Sequence, residues 1–429
     1  MMTKRDLERK SIMKILWITN IQLPAVRKKL GLPVEVVGGW MFSLANELSV
    51  SNQVSLAVCT TYSGNSLTKH SEDDIVYYLL PARKTKKYYD KSLEKYWLEV
   101  INEFNPDIIH VHGTEYAHGL ACFKACPEQK YVISIQGLVS AVKEHFFAGI
   151  KPLELMKYTT LSDIKNGETI PQGLNSIKRR AEIEHQYLKL SSNIIGRTNW
   201  DYSHTKAINA KSDYYFCNEV LRPSFYESHK WSLETKENYT IFLSQANSPR
   251  KGLHQALKAL SIVKEYYPVQ LRIAGVDVTG GKKWVQRTIT YGAYIRALVK
   301  KTGLNEKVVF LGRLNEKEMT EELRRAHVFI CPSVIENSPN SLGEAQLIGT
   351  PCIASFVGGV PDMVKDGETG LLYRFDDYVM LAFKIIKLFA NDDLAKHISK
   401  NGINAASERH HKATITSRTL EIYQTIKKK

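Results

Sequence analysis

Two successive series of short apolar runs, each closing on a polar residue or a glycine, restrict this chain more than any other feature. Lys14–Asn20 (KILWITN), Val54–Cys59, Asp107–His112 (DIIHVH), Tyr131–Ile135 (YVISI) and Asn193–Gly196 (NIIG) form the first series. Tyr239–Leu243 (YTIFL), Leu271–Ala274, Val308–Leu311, His327–Cys331 and Pro351–Ser355 form the second. Runs without polar alternation suit strands covered on both faces, as in a parallel sheet. The segments between them carry helical spacing: Trp40, Leu44 and Leu48 share one face, and so do Leu253, Leu257, Leu260 and Val263. The pattern predicts two doubly wound α/β units in tandem, residues 1–222 and 223–410, with 1–13 as a polar tail. A last helix, 411–429, has Leu420, Tyr423 and Ile426 as its apolar face and is expected to pack back on the first unit. Ligands of open α/β sheets sit beyond the carboxyl ends of the strands, so the chemistry is expected on loops facing a cleft between the units.

Bulk properties remove several classes. The 429 residues exceed one compact core. No stretch approaches the ~20 apolar residues of a membrane-spanning helix. The opening MMTKRDLERKSIMK lacks the apolar core of a secretory signal, and Met13, directly before the first strand, is a second candidate start. Cys59, Cys122, Cys126, Cys217, Cys331 and Cys352 form no CxxC pair, which fits reduced thiols of a cytoplasmic protein and no structural zinc. A formal charge of +15 favours polyanionic partners. No helix-turn-helix, zinc-finger or RNP pattern accompanies it, so nucleic acid is not the expected partner.

The segment Ser333–Ser355, SVIENSPNSLGEAQLIGTPCIAS, is the most informative. It leaves a strand, turns at Pro339, enters a helix near Asn340 or Ser341, and ends that helix at Gly349. A helix start presents free backbone N–H groups and a positive dipole end, which suit phosphate. Glu336 lies in the loop before this helix and Glu344 about one turn inside it, so both can face one ligand, one at each end of a nucleotide-sugar.

ENSPNSLGEAQLIGTPCIAS resembles the retaining glycosyltransferases of family 4, the "group 1" transferases, whose mark is two glutamates with seven residues between them, the second followed by an A-x-x-x-G-x-P-V-I-A-S setting. Cys352 stands for the usual valine. The similarity extends through Gly358-Gly359, DMVKDGETGLLY with Gly367 and Gly370, back through FLGRLNEKEM, and to Lys251-Gly252. It implies the GT-B fold, two Rossmann-like domains facing across a cleft. It further implies that Glu344 binds the ribose hydroxyls, that Glu336 contacts the donor sugar, and that Asn340, Ser341 and Leu342 offer N–H groups to the diphosphate. Lys251 would clamp that diphosphate. The arginine that usually assists it, five residues earlier, is Ala246 here, which leaves Arg250, Arg313 and Arg197 as candidates for the second cation. A nucleoside-diphosphate sugar is the implied co-substrate. With no DxD motif in the chain, no metal or other cofactor is expected.

In the first unit, Gly38-Gly39 offers a tight turn where a diphosphate or acceptor could approach the backbone. The H-x-H-G segment at His110–Gly113 resembles one whose histidine contacts the donor sugar in the family; His112 is the first choice and His110 the second. Gln136-Gly137 replaces the family's histidine-glycine, so an amide would make the sugar contact there. The implied reaction keeps the anomeric configuration, with a leaving-group phosphate oxygen taking the acceptor proton and no protein base required. The acceptor would be a glycan or lipid-linked glycan of a bacterial capsule, O-antigen or exopolysaccharide. Arg83, Lys84, Lys86, Lys87 and Lys91, with the amphipathic stretch at Phe146-Phe147, raise the hypothesis of contact with an anionic membrane on its inner face. The competing readings are a nucleotide-sugar epimerase or phosphorylase of the same fold, and an inactive nucleotide-sugar-binding subunit, which Ala246 keeps open.

Overall fold

The computed structural model describes residues 12–33, 38–82, 88–280 and 290–429. The first sheet holds β1 (Met13–Ile18), β2 (Val54–Tyr62), β3 (Thr68–Glu72), β4 (Ile75–Pro81), β5 (Ile108–His112), β6 (Tyr131–Ser134), β7 (Asn193–Gly196) and β8 (Asp213–Phe216), in the order β3-β4-β2-β1-β5-β6-β7-β8. Its strands pair in parallel except for the β3–β4 hairpin. The second sheet holds β9 (Glu237–Leu243), β10 (Gln270–Ala274), β11 (Val308–Gly312), β12 (Ala326–Cys331), β13 (Cys352–Ser355) and β14 (Leu371–Tyr373), all parallel, in the order β11-β10-β9-β12-β13-β14. Ile15, Leu16 and Trp17 are fully buried, as a strand covered on both faces requires. In both sheets the strand order reverses at the centre, between β1 and β5 and between β9 and β12, and loops after β5, β9 and β12 line one cleft.

The sequence pattern passed over β3, β4, β8 and β14. The polar β3 and the half-exposed β8 are sheet edges, and β14 is only three residues long. β4 (IVYYLLP) has the same apolar character as the strands that were recognised.

Two segments tie the domains together. The Lys412–Lys428 helix lies on the first sheet, its Ile415, Leu420, Ile422, Tyr423 and Ile426 sharing a core with Trp17, Leu44 and Leu48. Tyr423 Oη accepts from Trp17 Nε1 at 3.0 Å and is hydrogen-bonded to His110 Nδ1 at 2.7 Å. The second tie is a strap, the segment between β6 and β7. Ile150, Leu155 and Ile170 belong to the core of the second domain, with Phe146 and Phe147 half-buried against it. Asp163 is wholly buried there and accepts from the N–H and Oγ1 of Thr290, at 3.1 and 2.8 Å. His254 Nε2 donates to the Ala148 carbonyl at 2.9 Å. This strap therefore spends part of its apolar surface across the domain boundary. The basic residues 83–87 and the tail 1–11 lie outside the described residues; Lys91 is exposed at the start of a short turn.

Candidate functional site

A cavity of about 950 Å³ opens between the carboxyl ends of the two sheets, a volume in the range of small-molecule sites. Its walls are mostly loops that follow strands: Glu115 after β5, Gln136-Gly137 after β6, Arg197 after β7, Ser244–Asn247 after β9, Arg313 after β11 and Ile335–Ser341 after β12.

On the second-domain side, β9 delivers the chain to Lys251. Its Nζ donates to Glu336 Oε1 at 2.6 Å, and Arg250 Nη1 stands 3.9 Å from Glu336 Oε2. Burial alone would raise the Glu336 carboxyl. The Lys251 ammonium and Arg250 guanidinium more than offset it, so the group is held below the ordinary carboxylate range. Glycines let the loops close this tightly. Gly252 has φ +75°, and a Cβ there would lie 1.8 Å from the Pro332 carbonyl oxygen. A Cβ on Gly358, φ +50°, would lie 2.0 Å from the Glu336 carbonyl oxygen. The Glu336 backbone is thus fixed by contacts that admit no side chain.

The Asn340–Ile348 helix begins with Pro339 at its N-cap and no side-chain cap. Asn340 and Ser341 line the cavity at this start. Leu342 does not serve as expected: its N–H donates to the Pro339 carbonyl at 2.9 Å and its side chain is fully buried. Glu344 lines the cavity one turn in, gripped in a fork by Arg222, whose Nε and Nη2 donate to its two oxygens at 2.7 and 2.8 Å. Burial pushes the Glu344 carboxyl up and the Arg222 pair offsets part of that rise. No local pattern marks Arg222, which sits in the connecting segment.

Of the three arginines considered for the second cation, Arg197 is already committed. Its Nη1 is 2.5 Å from Glu219, and its Nη2 donates to the carbonyls of Ile135 and Gln136. Glu219 also accepts from Gln136 Nε2 and Asn340 Nδ2, both at 2.9 Å, so it joins the first-domain loops to the helix start. Arg250 and Arg313 line the cavity, as does the small, buried Ala246. Asn337, next to Glu336, accepts from Thr198 Oγ1 at 2.7 Å and donates to Asp201 Oδ2 at 2.8 Å, again across the domains.

The histidines and the glycine pair need correction as cavity residues. His112 is 2% exposed and lines a separate space of about 30 Å³ shared with Trp40 and Ser134, behind Arg197. It stacks on His110 at 4.0 Å and packs against Trp17 at 4.3 Å. Burial, then His110 and His118, hold its imidazole well below the ordinary range. His110 is bound by Tyr423 and Ser134, and burial lowers it to about 3. The inward pointing of alternate residues along β5 places both in the sheet's own packing. Gly38 is the left-handed N-cap of the Gly39–Val50 helix, and neither glycine lines the large cavity. Glu115 and Arg180, which carry no recognised motif, do line it. Glu115 could have been found from its place just past a strand end.

All six cysteines are buried and unpaired, and no helix among the described residues is long and apolar enough to cross a membrane.

Residues 225–405 match the family model for glycosyl transferases group 1. A phosphatidyl-myo-inositol mannosyltransferase of Mycobacterium leprae is 29% identical over 188 residues, 43% of this chain and 46% of its own length. An alpha-maltose-1-phosphate synthase of Mycolicibacterium smegmatis is 36% identical over 115 residues, 25% of this chain and 30% of its own. The matched stretches thus span less than half of these curated relatives. Among solved structures, sucrose-phosphate synthase from Thermosynechococcus elongatus superposes with a TM-score of 0.70 at 16% identity, covering 96% of this chain and 99% of that one. Anabaena Alr3699/HepE in complex with UDP and glucose gives 0.66 at 16%, covering 96% and 100%. The chain has the GT-B fold, and its second domain is a domain of the group 1 glycosyltransferases.

Proposed function

We propose that this protein transfers a sugar from a nucleoside-diphosphate sugar to a glycan or lipid-linked glycan, with retention and without a metal, in the manner of family 4. The observation that carries the reading is the Lys251–Glu336 pair set beside the Asn340–Ile348 helix start and Glu344, on one wall of the cavity. The helix start and Lys251, with Arg250, meet the diphosphate and its developing charge. Glu336, held ionised, accepts from donor-sugar hydroxyls and stabilises the positive charge that grows at the anomeric carbon. Glu344 accepts from ribose hydroxyls. A phosphate oxygen of the departing diphosphate takes the acceptor proton. HepE, of the same fold, holds UDP-glucose. Synthesis of a capsule, O-antigen or exopolysaccharide on the cytoplasmic side of the membrane is the setting this reading fits.

Thermal stabilisation by UDP, GDP and ADP tests the donor site. One nucleotide at a hundred times its dissociation constant should stabilise the fold by ~2.7 kcal/mol. Glu344→Ala should abolish that increment, read against the variant's own baseline because it also strands Arg222. Turnover of the matching donor sugar in the presence of a chelator then separates an active, metal-independent enzyme from an inactive subunit. No response to any nucleotide would sink the donor site.

The acceptor face of the first domain is also read as resting on an anionic membrane. Leu153 is 75% and Leu161 85% exposed on the strap, beside Met156, Ile164 and the lysines at 151, 157 and 165. Phe146 and Phe147 are occupied by the second domain and take no part. In liposome flotation, anionic vesicles should carry the protein up more than neutral ones, and a Leu153→Ser, Leu161→Ser variant should lose the preference. Equal flotation with both vesicle types would reject this contact.

A further inference from the structure

The donor reading uses the second-domain wall of the cavity and leaves two ionisable groups on the opposite wall without a task. Glu115 Oε2 is buried and has no hydrogen-bond partner. Burial, reinforced by the Glu184 carboxylate, raises the Glu115 carboxyl to about 7 against the pull of its own backbone N–H, Arg180 and Arg197. Its neighbour Glu184 makes the contrast. That carboxylate accepts from the N–H groups of Val139 and Ser140 and from the hydroxyls of Ser140 and Thr114, so it is fully engaged in holding the wall together. A buried polar atom left unpaired is costly; this one packs against Gly113 at the edge of the cavity that Glu115 lines, so a rotation of the carboxyl would bring it to a ligand.

Arg180 stands beside it on the Ile170–Leu190 helix. Its Nε donates to the Glu115 carbonyl at 2.8 Å, and its guanidinium lies 4.5 Å from the centre of the Tyr116 ring. The side chain is thereby held in place, yet it forms no ion pair among the described residues. Arg197 and Arg222, which line the same cavity, are both neutralised by glutamates. A fixed guanidinium that feels the Glu115 carboxyl but has no carboxylate in ion-pair range among the described residues matches phosphate or carboxylate better than any neutral group. The donor diphosphate is met from the other wall, by the helix start and Lys251.

Taking the donor reading as its basis, we propose that this wall is the acceptor subsite and that it selects an anionic acceptor. Arg180 holds a phosphate or carboxylate on that molecule, and Glu115 hydrogen-bonds a hydroxyl beside it. Val142, Ile177 and Trp200 line the wall around them and cover the acceptor's apolar faces. The anion can belong to a soluble molecule or to a lipid headgroup; the recognition is the same.

Glycerol 3-phosphate and glycerol serve as probes, titrated calorimetrically into the whole protein with and without UDP, GDP or ADP. The phosphate ester should bind roughly tenfold or more tightly than glycerol, the effect of a charge-assisted contact. Arg180→Gln should erase this preference while keeping the wild-type thermal response to nucleotide, which shows that the variant is folded. Arg180→Lys should retain part of it. Equal binding of the two probes, or a preference that survives Arg180→Gln, would overturn the proposal. Phosphatidylcholine vesicles with and without phosphatidylglycerol form a parallel arm: an Arg180-dependent preference there assigns the anion to a lipid, and one confined to glycerol 3-phosphate assigns it to a soluble acceptor. Because the probes are also titrated without nucleotide, a failed donor site and a failed anion subsite give different results.

Discussion

Exchanging Lys251 for methionine should lower the transfer rate by about 10²–10³-fold, the scale measured when one fixed group that meets developing charge is removed. The exchange also leaves the Glu336 carboxylate buried with only Arg250, 3.9 Å away, as a counter-charge. Breaking a buried pair from one side costs about 3–5 kcal/mol. The sign of the pH effect follows from Glu336. In the native protein its carboxyl is held below the ordinary value of 4.5, so its contribution to stability is present above that pH and fades as pH falls below it. Without Lys251, burial is opposed by Arg250 and a Ser333 hydrogen bond alone, the carboxyl rises, and the variant should lose stability as pH climbs from acid to neutral. The double variant Lys251→Met, Glu336→Gln removes the stranded charge. It should recover most of the stability in urea titrations and none of the turnover. Wild-type turnover in Lys251→Met would remove the lysine from the chemistry.

The second large effect is steric. Gly358→Ala should destabilise the protein by about 2–5 kcal/mol, combining the left-handed backbone cost of ~1–2 with an overpacking cost of ~1–3. The added methyl group would fall 2.0 Å from the Glu336 carbonyl oxygen, a backbone atom that cannot swing aside. Gly367 supplies the control. It also has positive φ, +78°, but nothing lies within 4 Å of its would-be Cβ, so Gly367→Ala should cost only the backbone part, ~1–2 kcal/mol. The two urea midpoints, at unchanged slope, give the contact by difference. Gly358→Ala should also weaken donor turnover, because the shifted carbonyl carries Glu336 with it. Equal costs for the two variants would show that the loop relaxes freely.

Strand positions and the glutamate-bearing loop were legible because both are local. KILWI, DIIHV and YTIFL announce buried parallel strands by composition, and Pro339 with Gly349 brackets one helix. Partners distant in the chain left no such trace. Nothing near Arg222 indicates that it will fork onto Glu344, 122 residues later. His110 and His112 sit at a strand end, where a ligand contact is a reasonable expectation, but Trp17, Trp40 and Tyr423 close around them from three other elements. The strap reads as an amphipathic stretch in either case, since periodicity shows that one face will be covered and not by what. Glu115 lies between an informative strand and an uninformative loop, and its orphaned oxygen is visible only once Glu184 is seen to be satisfied.

The Trp17–Tyr423 hydrogen bond, spanning 406 residues, has a consequence for biosynthesis. Domains commonly fold as they leave the ribosome, amino-terminal end first. Here the first sheet cannot seal when its own strands emerge, because the helix that covers Trp17, Leu44 and Leu48 follows the whole second domain in the chain. The nascent first domain must wait with that seam open while the whole second domain is made, a stage at which a holding chaperone would find its binding surface.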